Sequence, residues 1–64
     1  MLISLDGQQV QVEPQAVIGL GLRCRVPAGP GRLETTIFVF EQQAADKAEF
    51  WATWERFGGR GDGF

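Results

Sequence analysis

Apolar and polar residues alternate through the first twelve positions of the chain, and this pattern predicts two short β-strands. Asp6-Gly7 interrupts the alternation and favours a type I′ turn, because both residues tolerate a positive φ. Pairing Leu5 with Gln8 across this turn places every apolar residue of the run except Leu2 on one face. That face carries Met1, Ile3, Leu5, Val10 and Val12. The pattern therefore predicts an antiparallel hairpin.

A second hairpin is predicted from residues 17–26 and 32–41, which a Pro/Gly-rich segment joins. We expect residues 17–26 to form one continuous strand, and Glu13-Pro14 to separate the two hairpins, because proline has no N–H for the sheet. In the expected register, Val26 lies opposite Arg32. By the period of two, one face then carries the apolar residues Leu33, Ile37 and Val39 together with Arg23 and Arg25. The other face, which we expect to be buried, carries Phe38 beside Leu20 and Phe40 beside Ile18.

The pattern changes to a helical one from about Gln43 to Phe57, where good helix formers predominate. Asp46 followed by Glu49 resembles a capping box and favours a helix start at that point, and Gly58 is suited to end the helix. The helix has two apolar ridges on its surface. They consist of Phe50, Trp54 and Phe57, and of Ala44, Ala48 and Trp51. One sheet covers one ridge well, so the sequence leaves open which ridge faces it.

Together these elements predict an α+β fold with a four-stranded antiparallel sheet, twisted or partly rolled, built from two sequential hairpins. One C-terminal helix packs on the sheet. We expect residues 1–59 to form a single small domain and residues 60–64 to form a Gly-rich C-terminal tail.

The size and the composition of the chain exclude several ways of stabilising or using such a fold. A domain of 64 residues buries only about 60% of the surface of its unfolded chain. Cys24 is the single cysteine and there is no histidine, so we expect neither a disulfide nor a zinc site. The sequence shows no signal peptide or apolar span, which predicts a cytoplasmic protein that does not enter a membrane.

The residue types needed for catalysis are largely missing. Without histidine, the usual general base near neutral pH is absent and Ser/His or Cys/His nucleophiles are not available. Cys24 belongs to the apolar side of its strand, where a small core residue is expected. We therefore predict no enzyme, no catalytic or metal-binding residues, no cofactor and no small-molecule substrate.

More large apolar side chains are present than so short a chain can bury, which favours a non-enzymatic protein–protein interaction module. Tryptophan is common among the residues that dominate interface energies. The predicted partner-binding residues come from the helix and from one face of the second hairpin: Leu33, Ile37, Val39, Phe50, Trp51, Trp54 and Phe57. The module would bind a protein partner or a second copy and act by surface occlusion, as an inhibitor, an adaptor or a subunit of a larger assembly. Its size and style match those of phage and mobile-element proteins that block host machinery, such as anti-CRISPR proteins.

The alternative is a nucleic-acid-binding regulator with a β-ribbon that presents arginines. Arg23 and Arg25 share one face of a predicted strand, and Arg32 lies near the same end of the hairpin. The net charge of −2 and the absence of exposed aromatic residues between these arginines in the expected register disfavour nucleic-acid binding.

Overall fold

The computed structural model describes residues 1–27 and 29–60, and within them it shows two antiparallel sheets and one C-terminal helix. The first sheet consists of β1 (Leu2–Leu5) and β2 (Gln8–Gln11), and the second of β3 (Glu13–Ile18), β4 (Gly21–Val26) and β5 (Thr35–Val39). A 3₁₀ turn (Glu41–Gln43) precedes the helix α1 (Lys47–Arg56). The predicted α+β class is confirmed, whereas the predicted single four-stranded sheet is wrong. Residues 61–64 of the predicted tail lie outside the described residues.

The first hairpin has the predicted register. Leu5 pairs with Gln8, and both turn residues have a positive φ, 51° at Asp6 and 79° at Gly7. The pairing extends to the end of the chain, where the N–H of Val12 donates to the carbonyl of Met1 at 2.8 Å. Local turn chemistry and hydrophobic alternation therefore agree here, and together they fix this element.

Residues 17–26 do not form the continuous strand that the alternation predicts. The chain reverses at Gly19 and Leu20, so that β3 pairs back on β4 with Ile18 opposite Gly21. Gly19 has a φ of 60°, as the first central residue of a type II′ turn requires. Pro14 lies within β3 and not between two hairpins; the strand tolerates it because β3 is at the edge of the sheet.

The pairing of β4 with β5 also differs from the prediction. Val26 lies opposite Thr35, three residues beyond the expected Arg32. A shift by an odd number of residues exchanges the two faces of a strand. Consequently Val39 and Ile37 point toward the core, and Phe38 points to the opposite side, which is the reverse of the expected arrangement.

The core lies between the inner face of the second sheet, the first hairpin and the helix. Its buried apolar members come from all three: Ile3, Val12, Leu22, Cys24, Val39, Phe50 and Trp54. The prediction that Cys24 is a core residue is confirmed, because its side chain is fully buried. The N–H of Ala45 donates to the carbonyl of Leu2 at 3.0 Å and ties the segment before the helix to β1.

Both predicted ends of the helix are confirmed. Asp46 is the N-cap, and its carboxylate accepts the N–H of Glu49 at 3.1 Å. At the other end Gly58 has a φ of 100°, and the N–H of Gly59 donates to the carbonyl of Trp54 at 2.9 Å. This is a Schellman motif, which satisfies the last carbonyls of the helix.

The ridge that begins with Phe50 and Trp54 is the one that packs on the sheet. The indole N–H of Trp54 donates to the carbonyl of Gly19 at 3.0 Å, so the helix is fastened to the β3–β4 turn. Phe57, the last member of that ridge, is 40% exposed. The other ridge is covered in part, since Trp51 is half-buried and Ala48 is exposed.

Candidate functional site

The second sheet has an outer face that points away from the helix and the first hairpin. It is formed by the residues that alternate with the buried positions of the three strands: Ala16, Ile18, Gly21, Arg23, Arg25, Thr36 and Phe38. The glycine end of this face is apolar and the opposite end is charged. Phe38 covers Gly21 and Ala16 is half-buried, whereas the other residues of this face are exposed to solvent.

Four large apolar side chains form a patch at the apolar end, hereafter the apolar patch: Ile18, Leu20, Phe38 and Phe40. Leu20 is 54% exposed and Phe40 is 45% exposed. The rings of Phe38 and Phe40 meet edge to face, with centroids 4.7 Å apart. Single exposed apolar residues are ordinary, whereas a cluster of neighbouring ones on a small domain marks a contact surface.

Gly21 makes the close packing of the apolar patch possible. A Cβ atom at this position would lie 2.8 Å from the ring of Phe38 and 2.8 Å from the carbonyl oxygen of Val39. Both separations are shorter than real Cβ contacts, so the ring rests directly on the glycine backbone. The glycine is needed because β5 approaches here.

An open groove of about 200 Å³ adjoins the patch. Its lining residues come from the β3–β4 turn, the 3₁₀ region and the helix: Leu20, Phe40, Glu41, Gln42 and Trp51. The indole N–H of Trp51 donates to the carboxylate of Glu41. The rings of Trp51 and Trp54 meet edge to face, with centroids 5.1 Å apart. Trp51 is therefore held from two sides and forms a fixed wall of the groove.

The charged end of the outer face is partly neutralised within the protein. Arg25 makes an ion pair with Glu34 at 3.0 Å, and Glu13 lies opposite it in β3. When the amide of Gln15 presents its oxygen, that oxygen also accepts from Arg25 at 2.8 Å. Arg23 lies opposite Phe38 and is exposed. The predicted group of three arginines thus has one member already bound to a carboxylate.

The structure does not assemble the predicted partner-binding residues into one surface. Val39, Phe50 and Trp54 are buried in the core, and Ile37 is half-buried against it. Leu33 is 91% exposed in the segment before β5, and Phe57 lies at the end of the helix. Trp51 is the one member of the predicted set that lines the groove.

Sequence reasoning missed the apolar patch because the expected register pointed Phe38 and Phe40 inward. The signal that could have found it is the pair Gly19-Leu20, since glycine followed by another residue is the signature of a two-residue II′ turn. A turn at that point ends the strand at Ile18 and exposes Leu20.

Cys24 is the sole nucleophilic thiol of the chain, and its environment makes it unreactive. Burial raises the pKa of the thiol, an effect that the positive charge of the amino terminus opposes only in part. Since the thiolate is the nucleophile, the buried neutral thiol is a packing residue at neutral pH. Among the described residues, no three His, Cys, Asp or Glu side chains are grouped closely enough to hold a metal ion.

The helix α1 is too short and too polar to cross a membrane, and no other helix in the described ranges qualifies. Comparisons of the chain with protein-family models, with curated proteins and with solved structures give no match. The function must therefore be inferred from the surface of the molecule itself.

Proposed function

We propose that this chain is a small non-enzymatic protein-binding module that acts by covering part of the surface of a partner protein. The observation that supports this proposal is the apolar patch on the outer face of the second sheet, together with the groove beside it. The patch lies on the side of the sheet that the helix leaves uncovered, and the groove lies between the patch residues Leu20 and Phe40 and Trp51 of the helix.

The domain itself covers most of its other large apolar residues, whereas Leu2, Leu33 and Phe57 are exposed outside the patch, in β1, in the segment before β5 and at the end of the helix. The helix and the first hairpin seal the inner face, where Leu22 and Val39 have no exposed surface. The described residues contain no further element to cover Phe38 and Phe40. Burying one such ring in an interface would contribute about 1.5–3 kcal/mol, so a partner that covers the patch gains binding energy from it.

The shape of the groove favours a protein over a small molecule as the occupant. Its volume of about 200 Å³ is below the roughly 300–1,000 Å³ of typical small-molecule sites. It is suited to receive one apolar side chain of a partner, while the flat patch beside it contacts neighbouring residues. Glu41 and Gln42 provide a polar rim on one side, as protein interfaces commonly have.

Affinity capture with matched variants tests this proposal. Phe40→Ser removes a ring from both the patch and the groove, whereas Phe57→Ser removes a ring of similar exposure (40% against 45%) from the helix end. We expect the wild-type chain and Phe57→Ser to retain the same partner, and Phe40→Ser to lose it. Capture of no specific protein, or equal capture by Phe40→Ser, would contradict the proposal. Loss in Phe57→Ser alone would favour a contact surface on the helix, where the sequence predicted partner-binding residues.

An inhibitor, an adaptor and an assembly subunit would use this surface in the same way. They differ in what happens to the partner, so an activity assay of the captured protein with and without the chain distinguishes them. Inhibition that Phe40→Ser relieves would support the role by which small phage proteins block host machinery, whereas unchanged or raised activity would support an adaptor or a subunit.

One observation favours nucleic-acid binding as a second candidate. Arg23 lies directly opposite the exposed ring of Phe38, so an arginine and an aromatic residue stand side by side on a sheet, as in surfaces that stack single-stranded bases. The expectation that no exposed aromatic residue accompanies the arginines is therefore wrong. The net charge of −2 and the Arg25–Glu34 ion pair weigh against this candidate. Its test is retention on single-stranded DNA or RNA that falls with salt and is lost in Arg23→Ala.

A further inference from the structure

The two edges of the second sheet are built differently. The β3 edge contains Pro14, which offers no N–H, and a register shift between Pro14 and Ala16 interrupts its ladder. Proline and bulges are the devices by which natural sheets prevent an edge from pairing with another chain. β5 has neither: it consists of Thr35, Thr36, Ile37, Phe38 and Val39, all of them strong strand formers without charge.

The backbone groups of Thr36 and Phe38 face the open edge of β5. The carbonyl oxygen of Val39 lies against Gly21 of β4, and the N–H of Phe40 donates to the side chain of Gln43 at 2.8 Å and not to β4. Successive residues of a strand direct their backbone groups to opposite edges. Thr36 and Phe38 therefore point the same way as Phe40, and within the described residues no backbone bond reaches them from that side.

We propose that β5 pairs antiparallel with β5 of a second copy of this chain, so that the two three-stranded sheets join into one. This inference goes beyond the proposed function, because it concerns the edge of the sheet and not the groove. A symmetric dimer about a twofold axis is the commonest form of self-association, and an open edge supplies a ready template for it.

The arrangement of backbone groups favours one register. Ile37 is the central residue of β5, and a twofold axis beside it sets Thr36 opposite Phe38 of the second copy. Both residues direct their N–H and C=O groups toward the second copy, so Thr36 of one copy and Phe38 of the other form hydrogen bonds with each other. A register shifted toward Phe40 would compete with its bond to Gln43.

The charges at the ends of β5 favour the antiparallel orientation. Arg32 precedes the strand and is exposed, and Glu41 follows it. Antiparallel pairing brings the arginine end of one copy to the glutamate end of the other, whereas parallel pairing would set Arg32 beside Arg32. A stable interface buries about 800 Å² per partner, and a five-residue edge buries less, so the dimer is expected to be weak and to depend strongly on concentration.

Sedimentation velocity across a concentration series tests the proposal. Thr36→Pro removes an N–H from the open edge and leaves the bonds to β4 in place, while Thr36→Val keeps the N–H at nearly the same size. We expect the wild type and Thr36→Val to dimerise as concentration rises, and Thr36→Pro to remain monomeric. A wild type that stays monomeric up to millimolar concentration would overturn the proposal, as would equal dimerisation of Thr36→Pro.

Amide hydrogen exchange of the wild type gives a test that does not require a variant to fold. The N–H groups of Thr36 and Phe38 should exchange fast in dilute solution and become protected as concentration rises. Exchange at the same rate in dilute and concentrated samples would overturn the edge pairing.

Phe40→Ser separates this inference from the proposed function, because it should abolish partner capture while dimerisation persists. Loss of the dimer in Phe40→Ser would place the dimer interface on the outer face instead and overturn the proposal.

Discussion

The two faces of the second sheet are both apolar at one end, yet they have opposite fates. On the inner face Leu22 and Val39 are fully buried under the helix and the first hairpin, whereas on the outer face Ile18 and Phe38 remain partly exposed. Hydrophobicity is similar on the two sides, so it does not distinguish them. The strand register and the single helix decide which side becomes core and which side becomes a contact surface.

The largest expected effect is a difference in the free energy of unfolding between alanine variants of two leucines that lie two positions apart. Leu22→Ala removes a fully buried side chain and should lower the free energy of unfolding by about 2–5 kcal/mol. Leu20→Ala removes a side chain that is 54% exposed and should cost less than about 1 kcal/mol. Urea denaturation followed by tryptophan fluorescence measures both, and similar losses in the two variants would refute the distinction between the faces.

A smaller loss of stability is expected when Gly21, on which the ring of Phe38 rests, is replaced. Gly21→Ala places a Cβ 2.8 Å from both the Phe38 ring and the Val39 carbonyl oxygen, and relieving this overlap should cost about 1–3 kcal/mol. Because Phe38 must move, its ring signals in NMR spectra should shift as well. A variant of unchanged stability with unchanged Phe38 signals would show that the contact is loose.

The sequence was sufficient to predict the elements whose shape is decided locally. Asp6-Gly7 fixes the first hairpin, because the turn and the alternation specify the same register. Asp46 and Gly58 fix the ends of the helix in the same way, since each acts on backbone groups a few residues away.

The pairing of β4 with β5 and the apolar patch could not be predicted in this way. The segment between these strands is long, and its turn at residues 29–32 joins neither strand end directly, so no tight turn connects the strands and sets their register. Residues 37–40 are apolar on both sides, so either register buries large side chains, and alternation gives no preference between them. The reversal at Gly19 was hidden because the apolar alternation of the sequence continues through the turn.

The free energy of unfolding should depend on pH through Cys24, which is buried on the inner face. Burial raises the pKa of this thiol in the folded protein above its ordinary value of 9.0. The folded state therefore keeps the thiol proton to a higher pH than the unfolded state. The contribution of this difference to the free energy of unfolding is complete below about pH 9 and is lost as the pH rises through the folded-state pKa. Denaturation at pH 7 and pH 10 should show a smaller decline in Cys24→Ala than in the wild type, and equal declines would contradict the prediction.

The smallest effect on stability is expected at the charged end of the outer face. The Arg25 and Glu34 side chains are 45% and 51% exposed, so Glu34→Gln should lower the free energy of unfolding by no more than about 1 kcal/mol and less in high salt. A loss as large as that of Leu22→Ala would show that this end is structural. The same variant helps to distinguish a protein partner from a nucleic acid, because it removes the ion pair that Arg25 makes with Glu34. Nucleic-acid retention that rises in Glu34→Gln would favour the arginine-bearing end as the site, whereas protein capture that is unchanged in Glu34→Gln and lost in Phe40→Ser would favour the apolar patch.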